Sequence, residues 1–194
     1  MRDTFARDHL PPREEWPDFI GLDALGYPER LNAAAELLDR AVERGWGGRP
    51  CILAEGVRWT YREFQAQVNR VAGVLVRDMG LIPGERVLLR SANTPMMAAA
   101  YLAVLKAGGV VVATMPLLRA KELAFMLEKA RIRLALCDVR LREELDKAKG
   151  VSGVLEEVRF FQGGDLEARM AEQPPDFEAA DTAADEACLI AFTS

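Results

Sequence analysis

The sequence predicts an α/β fold, a mostly parallel sheet covered by helices on both faces. Three observations lead there. Short runs of continuous apolar residues, "RVLLR" (86–90), "VVVAT" (110–114) and "LALCDV" (134–139), have the length and composition of strands buried on both sides. Segments with apolar residues at helical spacing alternate with them. Glycines, prolines and hydroxyl residues stand at the changes from one to the other.

Taken in order, residues 1–30 carry Pro11, Pro12, Pro17 and Pro28 among charges and aromatics. They read as an extended arm packing over the body through Phe5, Trp16 and Phe19, with the α/β domain portion running from 31 to 194. In "RLNAAAELLDRAVERG", Leu31, Ala34, Ala35, Leu38 and Val42 form one apolar stripe, a helix stopped at Gly45. "PCILAEGVRWTY" gives two short strands turning at Glu55-Gly56. Thr60 followed by Glu63 is a capping box, in which a hydroxyl and a carboxylate satisfy each other's orphan amides. Phe64, Val68, Val71, Ala72, Leu75, Val76 and Met79 continue that helix to Gly80. "RVLLR" is a strand, and Thr94 with Pro95 opens a helix ending at Gly108. "VVVAT" is the next strand, then come a helix over 119–131, strand 134–139, a helix over 141–149 and a strand over 154–161. Residues 172–186 are an acidic, proline- and alanine-rich surface connection, and "ACLIAF" is one more buried strand.

Composition limits function. The 194 residues are 50% hydrophobic and 28% charged, enough for a sizeable core with a solvated surface. A net charge of -5 gives no support for a nucleic-acid or anionic-membrane partner, since both require a basic face. Three separated cysteines, Cys51, Cys137 and Cys188, sit in apolar runs and read as buried structural thiols of a reducing, cytoplasmic protein. The single histidine, His9, lies in the arm, which argues against a Ser-His-Asp or histidine-rich metal site. The apolar stretch 95–118 is long enough to span a bilayer. Lys106 at its centre and Gly108-Gly109 after it make helix, stop and strand the better reading.

Ligands in open α/β sheets sit beyond the carboxyl ends of the strands. That singles out Thr114, Met115, Pro116, Leu117 and Leu118 after one strand, Asp138 and Arg140 after another, and Thr193 and Ser194 after the last. By themselves Thr193 and Ser194 read as turn formers, with the lip of a phosphate loop as the functional alternative. Asp138 and Arg140 read as a solvated pair, with Arg140 placed where an anion could meet it.

"WTYREF" (59–64), "LAVLKAGGVVVATMPLLRAKEL" (102–123) and "CLIAFTS" (188–194) resemble three successive signatures of the adenylate-forming acyl-CoA synthetase superfamily. "DTFARDHLPPREEWPDF", "YPERLNAAAELLDR" and "RSANTPMMAAAYLAVLKAGGVVVATMPLLR" resemble more narrowly the aryl-CoA ligases of the 2-aminobenzoate and benzoate type. The resemblance implies a two-step ligase. A small aromatic carboxylate attacks MgATP to give an acyl-adenylate and pyrophosphate, and coenzyme A then displaces AMP. It further implies that Thr193 and Ser194 hydrogen-bond ATP phosphates and that Thr114–Leu117 border the acyl and coenzyme A paths, while Arg140, by its place after a strand, could meet coenzyme A phosphates. No catalytic residue of the family falls within these residues, and no metal site is expected apart from the Mg²⁺ carried by ATP.

The family's loop glycines, aromatic pocket and catalytic lysine would follow residue 194. The expectation is therefore a leading portion that is inactive alone, needs the rest of its polypeptide, and is prone to self-association through its open sheet edge. A free-standing interaction module and a fatty-acyl adenylating enzyme are the competing readings.

Overall fold

The architecture was obtained as a computed structural model, and it describes residues 2–193. Its clearest local feature is the capping box: the Glu63 amide donates to Thr60 Oγ1 at 3.2 Å and the Thr60 amide to Glu63 Oε2 at 2.8 Å. These bonds satisfy two donors that a helix start otherwise leaves orphaned. Helix Tyr61–Gly73 begins there and continues in wider π turns over Val74–Asp78, until Gly80 takes φ +64°. It follows a hairpin of two antiparallel strands, β1 (Pro50–Ala54) and β2 (Val57–Thr60), turned at Gly56 with φ +69°. The predicted helix before the hairpin is present, but much of it is π-helical, over Ala35–Asp39 and Val42–Trp46. Gly45 interrupts it with φ +86°, as its position predicts.

A four-stranded parallel sheet forms the centre: β3 (Arg86–Arg90), β4 (Val110–Thr114), β5 (Leu134–Asp138) and β6 (Glu157–Phe161) in the order β4-β3-β5-β6. Because side chains alternate along a strand, Val87, Leu89, Val111, Leu134 and Leu136 face one layer. That layer is built from the Tyr61–Asp78 helix, the stretch before the hairpin, and helix Pro95–Lys106. Leu88, Val112, Ala135 and Cys137 face the opposite layer, formed by helices Ala120–Lys129 and Arg142–Ser152. Both faces are covered, which is why these strands read as continuous apolar runs.

Helix Pro95–Lys106 is capped by Thr94, whose Oγ1 accepts from the Met97 amide at 3.1 Å. Among the described residues no helix is long and apolar enough to cross a membrane. Lys106 sits at the helix C-terminus, as its position suggests, but it is 2% exposed. Its Nζ donates to Asp39 Oδ1 at 2.8 Å and Asn69 Oδ1 at 2.6 Å, joining three helical segments. The charge is therefore compensated by specific partners, beyond the helix dipole.

Several expectations are corrected. The terminal segment "CLIAF" is not a buried strand. It makes a single parallel bridge, Leu189 beside Val111, through Val111 N to Cys188 O and Ile190 N to Val111 O, both 2.9 Å. Leu189 is 45% exposed, because the segment lies at the sheet margin outside β4. Consequently Cys188 is exposed; Cys51, on β1, is half-buried, and among the described residues only Cys137 is a buried thiol. The arm is not simply extended: residues Phe5–Asp8 and Arg13–Glu15 form short helical turns. Phe5 and Trp16 are half-buried, whereas Phe19 is 62% exposed and meets Trp16 edge-on in place of the body. A helix over Leu166–Ala171, which the sequence reading passed over, buries Leu166 and Met170.

Candidate functional site

Parallel strands bring their carboxyl ends to one side, so register decides which loops meet. Arg90 pairs with Thr114 on one neighbour and Cys137 on the other. The segments after β3, β4 and β5 therefore open at one level. Leu189 bridges Val111 in the parallel sense, so the residues after it run toward the carboxyl end of β4. Phe192 packs on Phe125 of the Ala120–Lys129 helix, ring centroids 6.2 Å apart. Thr114, Met115, Pro116, Leu117, Arg140 and Thr193 thus share one end of the sheet. Ser194 lies outside the described residues.

Their environments differ. Thr114 is buried and its Oγ1 donates to Leu89 O at 3.1 Å, a bond that closes the end of β4. The bend after it turns through Leu118 N to Met115 O at 3.3 Å. It leaves Met115 and Leu117 63% and 83% exposed. Thr193 is exposed.

Asp138 and Arg140 are not a solvated pair in the sense the sequence suggests. Arg140 is largely exposed, but Asp138 is 1% exposed. The guanidinium grips the carboxylate with Nε to Oδ1 at 2.9 Å and a terminal nitrogen to Oδ2 at 2.5 Å, and the Arg140 amide adds a third bond at 3.0 Å. The Arg140 guanidinium and its amide, with Ser91 adding to them, hold the Asp138 carboxyl below its ordinary value against the opposing effect of burial. An anion reaching Arg140 has to compete with this bidentate partner. Next to it, burial pushes the Cys137 thiol up to about 12, so it is not a nucleophile at neutral pH.

Arg90 is the residue of this region that sequence reasoning missed. It is 1% exposed and donates to four main-chain carbonyls: Leu118 O at 2.8 Å, Met115 O and Pro116 O at 3.1 Å, and Leu141 O at 3.4 Å. Among the described residues it has no ion-pair partner. Burial lowers its affinity for the proton, while the charge of Glu144 opposes that effect. Its signal was present in "RVLLR", a strand apolar inside and charged at both ends.

Among the described residues no group of three or more His, Cys, Asp or Glu is placed to hold a metal ion. At this end the Thr193 side chain is exposed, whereas Thr114 and Asp138 are buried and already hydrogen-bonded within the chain.

A parallel α/β sheet whose candidate residues gather at the carboxyl end defines a class of ligand-binding proteins. Within it, residues 38–194 match the family model of the AMP-binding enzymes, and the chain belongs to that family. It is 30% identical over 174 residues to a benzoate–CoA ligase of Thauera aromatica, covering 88% of this chain and 33% of the relative. A benzoate CoA ligase structure from Burkholderia xenovorans LB400 superposes with a TM-score of 0.74 at 25% identity, over 82% of this chain and 32% of that one. An anthranilate CoA ligase bound to anthranoyl-AMP gives a TM-score of 0.79 at 21% identity over 86% and 32%, a likeness of fold. The chain spans about a third of the length of these relatives.

Proposed function

We propose that this chain is the leading part of an ATP-dependent aryl-CoA ligase acting on benzoate or 2-aminobenzoate. The observation that carries the reading is the 30% identity with a benzoate–CoA ligase over 88% of the chain. The gathering of Thr114–Leu117, Arg140 and Thr193 at one sheet end supports it.

In this reading a carboxylate oxygen attacks the α-phosphorus of ATP, supplied with Mg²⁺, and pyrophosphate leaves. The thiolate of coenzyme A then attacks the acyl carbon and AMP leaves. Such chemistry needs fixed donors around the polyphosphate and shelter of the mixed anhydride from water. The Thr193 hydroxyl, followed by that of Ser194, would donate to phosphate oxygens. The exposed side chains of Met115 and Leu117 would contribute to the dry wall of the acyl path. The sheet supplies position and shelter, and the rest of the polypeptide supplies the chemistry.

The test is pyrophosphate release by the full-length polypeptide with benzoate, 2-aminobenzoate and a medium-chain fatty acid in parallel. Release with the aromatic acids, and none from residues 1–194 alone, is expected. Release with the fatty acid alone would sink the aryl assignment.

A further inference from the structure

In the 115–118 bend Leu118 packs on the core and Pro116 is half-buried, but the other two side chains point outward. Met115 and Leu117 face solvent, while the carbonyls of Met115, Pro116 and Leu118 turn inward onto the Arg90 guanidinium. Left to solvation alone, a Met-Pro-Leu-Leu segment would do the reverse, hydrating its carbonyls and burying its apolar side chains. Arg90 reverses that preference by offering donors in a fixed planar fork. Its fourth carbonyl, Leu141 O, comes from the turn after β5, so one side chain ties the loops of two strands to the end of a third.

The arrangement is costly if its only purpose is stability. A guanidinium buried without a carboxylate pays its desolvation against carbonyl dipoles alone. Glu144, whose charge favours Arg90, spends one oxygen on the Ala120 amide at 2.8 Å and the other on Lys147 at 3.2 Å.

We propose that Arg90 is a positioning residue, holding the 115–118 bend so that Met115 and Leu117 form an apolar wall beside the path of the aromatic carboxylate. This rests on the ligase reading above. Arg90 touches no substrate itself and acts through the backbone it grips.

The test uses the full-length polypeptide with Arg90→Lys, which keeps the charge but donates from one nitrogen and cannot span these carbonyls. Amide exchange across residues 115–119 should quicken about tenfold or more, with Leu88 and Val112 in the sheet unchanged within about twofold. The KM for benzoate should rise about tenfold while kcat stays within about threefold. Arg90→Met should give the same pattern more strongly, and if it does not fold the lysine variant decides. Leu117→Ser should raise KM without quickening exchange in the bend. Unchanged exchange in the bend, loss of protection throughout the sheet in Arg90→Lys, a fall in kcat at constant KM, or an unmoved KM in Leu117→Ser would each overturn the proposal. If the parent releases no pyrophosphate with any aromatic acid, the ligase reading fails, and the exchange measurement still decides whether Arg90 holds the bend.

Discussion

Strand β3 carries a buried arginine at each end, and the two are neutralised in different ways. Arg86, at the amino end, pairs with Asp3 at 2.6 Å and lies over the Phe5 ring at 4.5 Å from its centroid. It also donates to the carbonyls of Ala130, Gly84 and Arg131. Arg90, at the carboxyl end, has carbonyls alone. The arm thus closes the amino end with a counter-charge and an aromatic lid, and the Arg2 and Asp3 amides add bonds to Pro83 O at 3.1 and 3.0 Å. At the carboxyl end the side chains that could have closed the surface stay outside. The same residue type in one strand serves as a fastener at one end and as a scaffold for an open surface at the other. Compensation by a side-chain carboxylate ties down the arm, whereas compensation by main-chain carbonyls shapes a loop.

The difference is sharpest when each arginine is removed. Arg90→Met should cost the more, about 3 kcal/mol or above, because several inward carbonyls lose their donors at once. Urea unfolding of the polypeptide measures it, and a loss below about 1 kcal/mol would mean the bend simply turns its carbonyls to water. Arg86→Met should cost about 2 kcal/mol, since Asp3 belongs to an arm that can swing into solvent with its charge. Its signature is local: limited proteolysis should cut within residues 2–8 faster than in the parent. Equal protease resistance would show that the arm is held by something other than Arg86.

The smallest effect concerns Asp138 and Arg140. The Asp138 carboxyl is held below its ordinary value of 3.8 chiefly by the Arg140 side chain. A depressed carboxyl contributes stability above the unfolded-state value, and that contribution is lost as pH falls through the folded one. Arg140→Ala should therefore make the acid-side fall in stability smaller and complete it at higher pH, with stability at neutral pH reduced. The loss at neutral pH should be the smallest of the three, because Arg140 is mostly exposed and screened by solvent. Superimposable acid limbs for parent and variant would rule the pair out as a source of stability.

How far the sequence reached depends on the range of the interaction concerned. The Thr60–Glu63 box, the Thr94–Pro95 start and the stop at Gly108, which takes φ +77°, are local, and the chain spells them out. Helix Leu166–Ala171 is too short to show a period, and only packing of Leu166 and Met170 reveals it. At the candidate site the residues at strand ends were legible because parallel strands must open on one side. The partners of Arg90 were not, since they are carbonyls 25 to 51 positions away in the chain.

The sequence by itself determined the alternation of strands and helices, their caps and stops, and the family likeness of the signatures, because these depend on residues within a turn or two of each other. Tertiary structure alone decided the order β4-β3-β5-β6, the burial of Arg90, Lys106 and Asp138, and the exposed setting of Leu189 and Cys188. Burial is a property of what lies across the sheet. An apolar run such as "CLIAF" has the same composition whether a neighbour covers it or not, so only the packed chain could show it at the margin.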